Sequence, residues 1–140
     1  DMPFLVDSLT AALTRLGFTI YETLHPIFAV ERDAKGRLTG LPEDAPESTA
    51  RESLIHFEIS PLPAGMTPEG LEEELKRVLS FVRAAVADWP AMTEHVKALE
   101  AALKGDAESV AFLSWLRERN FVFLGYQDAK ERLGICALDD

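Results

Sequence analysis

The first residues of the chain suit the binding of a small anion. Asp1, Met2, Pro3 and Phe4 lead into an amphipathic helix, with Asp1 at the N-cap, Pro3 in the first turn and Asp7 close behind. The first backbone N–H groups of a helix have no intrahelical partner and lie at the positive end of the helix dipole. They can bind a carboxylate such as that of an amino acid. The alternative, which we favour, is that Asp1 caps these groups and nothing else binds.

The other chemically capable residues form no recognisable cluster in the sequence. The three histidines, His25, His56 and His95, lack the short spacings of metal ligands, and Cys136 has no second cysteine. Ser8 is not set in the Gly-x-Ser-x-Gly turn of a serine nucleophile, and there is no glycine-rich phosphate loop. The sequence therefore predicts no catalytic residue, no metal site and no cofactor in this chain.

The composition narrows the classes of partner and compartment. Fourteen Lys and Arg against 24 Asp and Glu leave a net charge of −10. Binding to nucleic acid or to an anionic membrane needs a basic surface, so we expect neither partner. No apolar run has the length of a membrane span, and the single cysteine suits a reducing compartment. We expect a soluble, cytoplasmic protein.

The first sixty residues predict one helix followed by strands. An apolar face at helical spacing, ended by Gly17, comprises Leu5, Leu9, Ala12, Leu13 and Leu16. Extended structure follows at 19–32, interrupted by Pro26, and a turn at 33–36 leads to a short return strand at 37–41. A loop at 42–51 then precedes one alternating, half-buried strand at 52–60.

The remaining residues predict mainly helices. Thr67 and Pro68 start a helix whose apolar stripe comprises Leu71, Leu75, Val78, Leu79, Val82, Val86 and Trp89. Pro90 disfavours the helical conformation at Trp89, so we expect the helix to end or kink there, with a second piece reaching to about Leu103. A third helix starts near Asp106, and short strands are predicted at 121–126 and 133–138.

This order of elements predicts an α+β protein. If one strand precedes Asp1, residues 1–90 form a ferredoxin-like βαββαβ domain, an antiparallel sheet with helices on one face. A helical extension at 91–120 follows, and the short strands at 121–140 begin the next unit. A sheet that lacks its first strand has an unpaired edge, which tends to recruit another chain, so we expect a homo-oligomer.

The opening of the chain resembles that of ACT domains, which are small βαββαβ regulatory modules that often bind amino acids at paired interfaces. Asp1, Met2 and Pro3, the helix, Gly17 and the strand from Ile20 match the Asp-x-Pro-Gly opening of these domains. Phe4 stands at the position of the pattern's glycine, the residue that lets a ligand approach the backbone closely. The resemblance implies an amino-acid effector bound by Asp1, Met2, Pro3, Phe4 and Asp7.

Five further segments resemble the N-terminal region of the large bacterial NAD-specific glutamate dehydrogenases. They are DMPFLVDS at 1–8, HP at 25–26 with RD at 32–33 and GRL at 36–38, ESLIHFEI at 52–59, VRAAVADW at 82–89, and NFVFLGY at 120–126. These enzymes have ACT-like regulatory segments before a C-terminal catalytic domain, and they convert L-glutamate to 2-oxoglutarate and ammonia with NAD. The resemblance implies a non-catalytic regulatory or assembly segment, whose partner is the rest of the parent chain and whose NAD and catalytic residues lie elsewhere. The alternatives are an amino-acid sensor and a homo-oligomerisation module.

Overall fold

A computed structural model describes residues 2–138, apart from the side chain of residue 119. The chain divides into two compact units, Asp1–Leu75 and Lys76–Asp140. The described helices are α1 (Leu5–Arg15), α2 (Pro68–Ala102) and α3 (Ala107–Trp115), the last continued by a π-helical turn at Leu116–Asn120. The described strands are β1 (Ile20–Leu24), β2 (Ile27–Ala29), β3 (Glu31–Arg32), β4 (Leu38–Gly40), β5 (Arg51–Ser53), β6 (His56–Ile59), β7 (Gly125–Gln127) and β8 (Arg132–Gly134). The class is α+β, as the order of patterns predicted.

Helix α1 supplies much of the core of the first unit. Leu9, Ala12 and Leu13 are buried, and Leu13 is only 2% exposed. The spacing of these residues places them on one face, which confirms the predicted apolar stripe. The helix ends as predicted, because Gly17 takes a φ of +89° that favours glycine and donates its N–H to the Thr14 carbonyl.

The strands of the first unit form one long, bent antiparallel hairpin of three ladders. β1 pairs with β6, β2 with β5, and β3 with β4. The predicted turn joins β3 to β4, with the N–H of Gly36 donating to the Asp33 carbonyl at 2.9 Å and a Gly36 φ of +76°. Phe57 and Ile59 are half-buried while His56 and Glu58 are exposed, which confirms the alternation predicted for β6.

The prediction of one continuous strand at 52–60 was wrong. The segment forms two strands, β5 and β6, which are separated at residues 54–55. These residues lie opposite Pro26, which has no N–H to donate to a partner strand and which separates β1 from β2. The Leu54 N–H donates to the Pro26 carbonyl at 3.0 Å, so the hairpin bends at this point without losing its connection.

Helix α2 starts where the sequence predicted and runs through the proline expected to interrupt it. The Thr67 Oγ1 accepts a hydrogen bond from the Gly70 N–H at 3.1 Å, a normal N-cap contact. Pro90 lies inside the helix, which continues to Ala102, so of the two predicted outcomes at Trp89, an end or a kink, the end was wrong. Buried side chains lie on both sides of the proline, at Val82, Ala85, Met92 and Val96. Their burial offsets the hydrogen bond lost at Pro90.

The remainder of the second unit combines α3 with a small hairpin. Helix α3 starts next to Asp106 as predicted. Asp106 caps it, because its carboxylate accepts hydrogen bonds from the Ser109 N–H at 3.2 Å and the Ser109 hydroxyl at 2.7 Å. These bonds, the hydroxyl's first, hold the pKa of Asp106 below its usual value. β7 and β8 pair but are shorter than the predicted strands, since Gly134 turns the chain into a 3₁₀ turn at Ile135–Ala137.

Candidate functional site

The N-terminus of α1 holds the residues that the sequence suggested for ligand binding. Phe4 is the N-cap residue, with φ 68° and ψ 2°, and its side chain makes no capping hydrogen bond. Its carbonyl accepts the Ser8 N–H at 3.0 Å. Pro3 lies in the turn before the helix, so its predicted place in the first helical turn was wrong, because left-handed Phe4 separates it from Leu5. The predicted cap Asp1 lies outside the described residues.

Phe4 is unusual in its backbone. Among residues 2–138 it is the one non-glycine residue with a positive φ, a conformation that costs most residues about 1–2 kcal/mol. Phe4, which stands where the ACT pattern has a glycine, therefore takes a backbone conformation that favours glycine. Its ring is 43% exposed. The other candidates differ in exposure, since Met2 is half-buried while Pro3 and Asp7 are exposed. Asp7 places a carboxylate in the first turn, where it stabilises the positive helix end and competes with an anionic ligand.

A second polar group holds the tip of the long hairpin. The Arg32 guanidinium donates to both carboxylate oxygens of Glu52 at 2.6 Å, and to the Gly36 carbonyl at 2.7 Å. The bond between the two side chains raises the pKa of Arg32 and lowers the pKa of Glu52. Both residues, with Gly36, belong to segments that carried the family resemblance. Their arrangement joins β3, the turn and β5, which is a structural role.

Asp33 organises the same turn. Its Oδ1 accepts the backbone N–H groups of Lys35 at 2.9 Å and Arg37 at 3.0 Å, and its Oδ2 accepts the Arg37 Nε at 2.9 Å. These hydrogen bonds, led by that of the Arg37 backbone, hold the pKa of Asp33 below its usual value. The charged residues at 32–37 are therefore engaged in shaping the hairpin.

An open cleft of about 370 Å³ lies beside this hairpin. Its lining is mostly apolar, including Ile27, Phe28 and Leu41, with Glu43 and Arg51 as its charged members. Three separate chain segments contribute to it, namely β2, residues 41–45 and the start of β5 at Arg51. No motif in the sequence indicated this cleft, because its lining is assembled only by the pairing of β2 with β5.

In the second unit, Asp88 and Gly134 are joined across the chain. The Gly134 N–H donates to Asp88 Oδ2 at 2.7 Å. Gly134 is buried, with a φ of +60°, and a Cβ placed on it would collide with the Leu124 carbonyl oxygen. Nearby in sequence, the Trp89 and Phe123 rings lie 5.3 Å apart. Segments 82–89 and 120–126, two of the five that resemble the glutamate dehydrogenases, therefore contact each other in one cluster.

His95 is the histidine with the most contacts. Its ring stacks on Tyr126 with centroids 4.0 Å apart and an interplanar angle of 10°, and its Nε2 lies 2.9 Å from a Glu131 oxygen. The Tyr126 hydroxyl donates to Asp128 at 2.9 Å, which raises the pKa of Tyr126. The pKa of Asp128 is lowered, first by the Lys130 N–H. Sequence reasoning missed this network because its members are spread over 36 residues.

The polar groups do not amount to a metal site. Within residues 2–138, no three His, Cys, Asp or Glu side chains are placed to hold a metal ion together. None of the described helices combines the length and apolar character needed to cross a bilayer.

The first unit, with its helix and long antiparallel hairpin, defines an ACT-type domain. Residues 1–75 match the family model described as the ACT1 domain of glutamate dehydrogenase, and the chain belongs to this family. A NAD-specific glutamate dehydrogenase from Halomonas elongata is 38% identical over 94% of this chain, and one from Pseudomonas aeruginosa is 34% identical over 91%. A third, from Mycobacterium tuberculosis, is 30% identical over 88%. The chain spans 8–9% of the length of these relatives. No solved structure matches it.

Proposed function

We propose that this chain is a non-catalytic regulatory or assembly segment of a cytoplasmic, NAD-dependent glutamate dehydrogenase. The full-length enzyme converts L-glutamate, water and NAD to 2-oxoglutarate, ammonia and NADH, and its substrate and NAD sites lie outside this segment. One observation carries the proposal: 94% of the chain aligns with 9% of a NAD-specific glutamate dehydrogenase at 38% identity. The rest of that polypeptide is the partner of the segment.

The arrangement of the first unit supports a regulatory domain of the ACT type. The order α1, hairpin, α2 corresponds to the αββα part of a ferredoxin-like βαββαβ domain. In this proposal the domain extends over 1–90 with helices on one face of its sheet, 91–120 is a helical extension, and 121–140 begins the next unit. A further strand before Asp1 completes the sheet.

The polar residues in the segments that resemble the family support a non-catalytic, structural role. Arg32, Glu52 and Asp33 hold the hairpin, and Asp88 holds Gly134. A catalytic acid or base must keep a face free for the substrate, within hydrogen-bond reach of the reacting proton. These side chains instead use their polar atoms on the chain itself, which fits a scaffold for chemistry performed elsewhere.

The proposal is tested in the full-length enzyme with Leu13→Ala, which loosens the core of the first unit. We expect the kcat for glutamate with NAD to be retained, while the oligomeric mass or the response to amino-acid effectors changes. Leu62→Ala, at a residue that is 40% exposed, is the matched control and should change neither. Glutamate-dependent NADH formation by the purified 140-residue chain alone would disprove the proposal.

An amino-acid sensor is the second candidate, and the N-terminus of α1 favours it. The Phe4 side chain makes no capping bond, which leaves the first-turn N–H groups of the helix, that of Asp7 among them, for a ligand carboxylate. Asp1, Met2, Pro3 and Phe4 are the other proposed contacts of that ligand. Calorimetric titration of the full-length enzyme with the common amino acids tests this role. A binding heat that is larger in Phe4→Gly, where the backbone becomes accessible, than in the wild-type enzyme would support a sensor. No binding heat with the wild type or with Phe4→Gly would argue for a scaffold.

A homo-oligomerisation module is the third candidate. The β1–β6 ladder of the first unit has two strands, so each strand has an edge that another chain can extend. Light scattering over a range of concentrations tests this role, and a strictly monomeric mass counts against it.

A further inference from the structure

Helix α3 has no distinct polar face. Its nine residues, AESVAFLSW, contain three polar side chains, Glu108, Ser109 and Ser114, which are spread around the helix, and none of the nine is buried. A mainly apolar helix without a polar face normally lies in the interior of a larger protein. Phe112 is 57% exposed and Trp115 is 50% exposed, although aromatic side chains of this size are usually mostly covered.

The exposed aromatic side chains form a defined surface. The Phe112 and Trp115 rings lie 6.2 Å apart at an interplanar angle of 18°, so they present one continuous face. Exposed apolar residues follow shortly after, at Phe121, Val122 and Leu124. Exposed aromatic residues with few charges are typical of the centre of protein interfaces. We call the Phe112 and Trp115 pair the aromatic surface.

We propose that the aromatic surface is the docking site for the polypeptide that follows residue 140 in the full-length enzyme. This inference rests on the proposed function. The H. elongata relative shares only 9% of its length with this chain, so an enzyme of that size has ample polypeptide to cover the surface. A nine-residue helix is about 14 Å long, too short to span a bilayer, and a chain with a net charge of −10 is repelled by an anionic lipid surface, so lipid is not the proposed occupant.

Charge and tether length select this occupant over the others. Two copies of a chain with a net charge of −10 repel each other, which disfavours a second copy on the surface. A segment tethered by a short stretch of chain has a higher effective concentration than one tethered by a long stretch. Polypeptide after residue 140 is joined to Trp115 by about 25 residues, whereas polypeptide before residue 1 is joined to it by more than 100.

Photocrosslinking in the full-length enzyme tests the proposal. Trp115 is replaced by p-benzoylphenylalanine, and the control places the same residue at Glu94, which is exposed on α2. After irradiation we expect crosslinks from position 115 to peptides beyond residue 140, with the protein at monomer mass on a denaturing gel. The crosslink yield at position 94 should be about tenfold lower, which corresponds to a difference of about 1.4 kcal/mol in the free energy of contact with the docked polypeptide.

Three results would overturn the proposal: a dimer-mass product, crosslinks only to peptides before residue 1, or no excess over position 94. Hydrogen exchange of the full-length enzyme gives an independent measurement. The amides of α3 should exchange at least about tenfold faster in Trp115→Ala, which weakens the docking, than in the wild-type enzyme, and equal rates would also overturn the proposal. Glutamate-dependent NADH formation is measured on the same preparation. Activity without the crosslink contradicts the docking site alone, whereas an inactive, folded full-length enzyme contradicts the proposed function.

Discussion

The Gly134 N–H donates a hydrogen bond of 2.7 Å to the carboxylate of Asp88, and the two residues are 46 positions apart. The bond joins α2 to the end of β8. The acceptor is a carboxylate and the bond is partly buried. Loss of this bond should therefore lower the free energy of unfolding by more than loss of a neutral hydrogen bond at the surface.

We therefore expect Asp88→Ala to destabilise the second unit by about 1.5–3 kcal/mol. Asp88→Asn keeps an acceptor and should cost less. Urea unfolding of the 140-residue chain followed by tryptophan fluorescence measures this unit selectively, because both tryptophans, Trp89 and Trp115, lie in it. Lys104→Ala, at an exposed position of the same unit, is the control. Equal effects of the alanine substitutions at 88 and 104 would show that the Gly134 bond contributes nothing to stability.

Gly134→Ala tests the conformation of the other partner. The φ of +60° and the Leu124 carbonyl oxygen leave no room for a Cβ, so we expect a loss of about 2–4 kcal/mol in the free energy of unfolding. Gly105→Ala is the matched control, because a Cβ there meets no atom within 4 Å. It should change stability by less than about 1 kcal/mol. The same fluorescence assay applies, and a harmless Gly134→Ala would contradict the described backbone.

Leu13→Ala measures the contribution of α1 to the first unit. Leu13 is 2% exposed, so its truncation should cost about 2–5 kcal/mol through lost burial and the cavity left behind. Hydrogen exchange of the α1 amides reports on this unit, which contains no tryptophan. Leu62→Ala, at a residue that is 40% exposed, should have a smaller effect. If both substitutions accelerated exchange equally, Leu13 would not be a core residue.

Phe4→Gly and Phe4→Ala together test the left-handed N-cap. Both remove the ring, but only glycine takes a φ near 68° without strain. The glycine variant should therefore be more stable than the alanine variant by about 1 kcal/mol, despite the greater entropy of glycine in the unfolded chain. Thermal unfolding of the two variants gives the comparison. Greater stability of the alanine variant would mean that residue 4 is not left-handed in solution.

Asp128 makes the second unit sensitive to acid. Hydrogen bonds from the Lys130 and Glu131 N–H groups and the Tyr126 hydroxyl lower its pKa in the folded chain. A carboxyl group with a lowered folded pKa contributes stability above its unfolded pKa of about 3.9, and loses that contribution as the pH falls through the folded pKa. We expect the stability difference between the wild type and Asp128→Asn to be largest near neutral pH and to shrink below about pH 4.

An NMR titration of the Asp128 carboxyl carbon measures the cause directly. Its midpoint should lie below the usual value for aspartate, and Tyr126→Phe, which removes one donor, should move it upwards. A midpoint at the usual value in the wild type would refute the hydrogen-bonded arrangement.

Much of the fold was predictable because its signals are local. Thr67 and Asp106 each cap a helix by accepting the N–H of the residue three positions later. Gly17 ends α1, and Gly36 lies in the turn between β3 and β4. Such contacts depend on neighbours within about one turn, which a sequence displays directly. The same holds for the apolar stripe of α1. For the candidate site, the sequence indicated the N-terminus of the first helix, and Phe4 as the departure from the ACT pattern.

The tertiary structure decided what depends on distant partners. Pro90 stays within α2 because buried residues on both sides outweigh one lost hydrogen bond, and the strand at 52–60 breaks because Pro26 lies opposite it. The left-handed φ of Phe4 belongs to the same group, since side-chain type alone predicts the opposite. Local periodicity by itself determined which segments are helical or extended in this protein. Only the folded chain determined where these segments are interrupted and which side chains contact each other, because both outcomes depend on interactions between residues far apart in sequence.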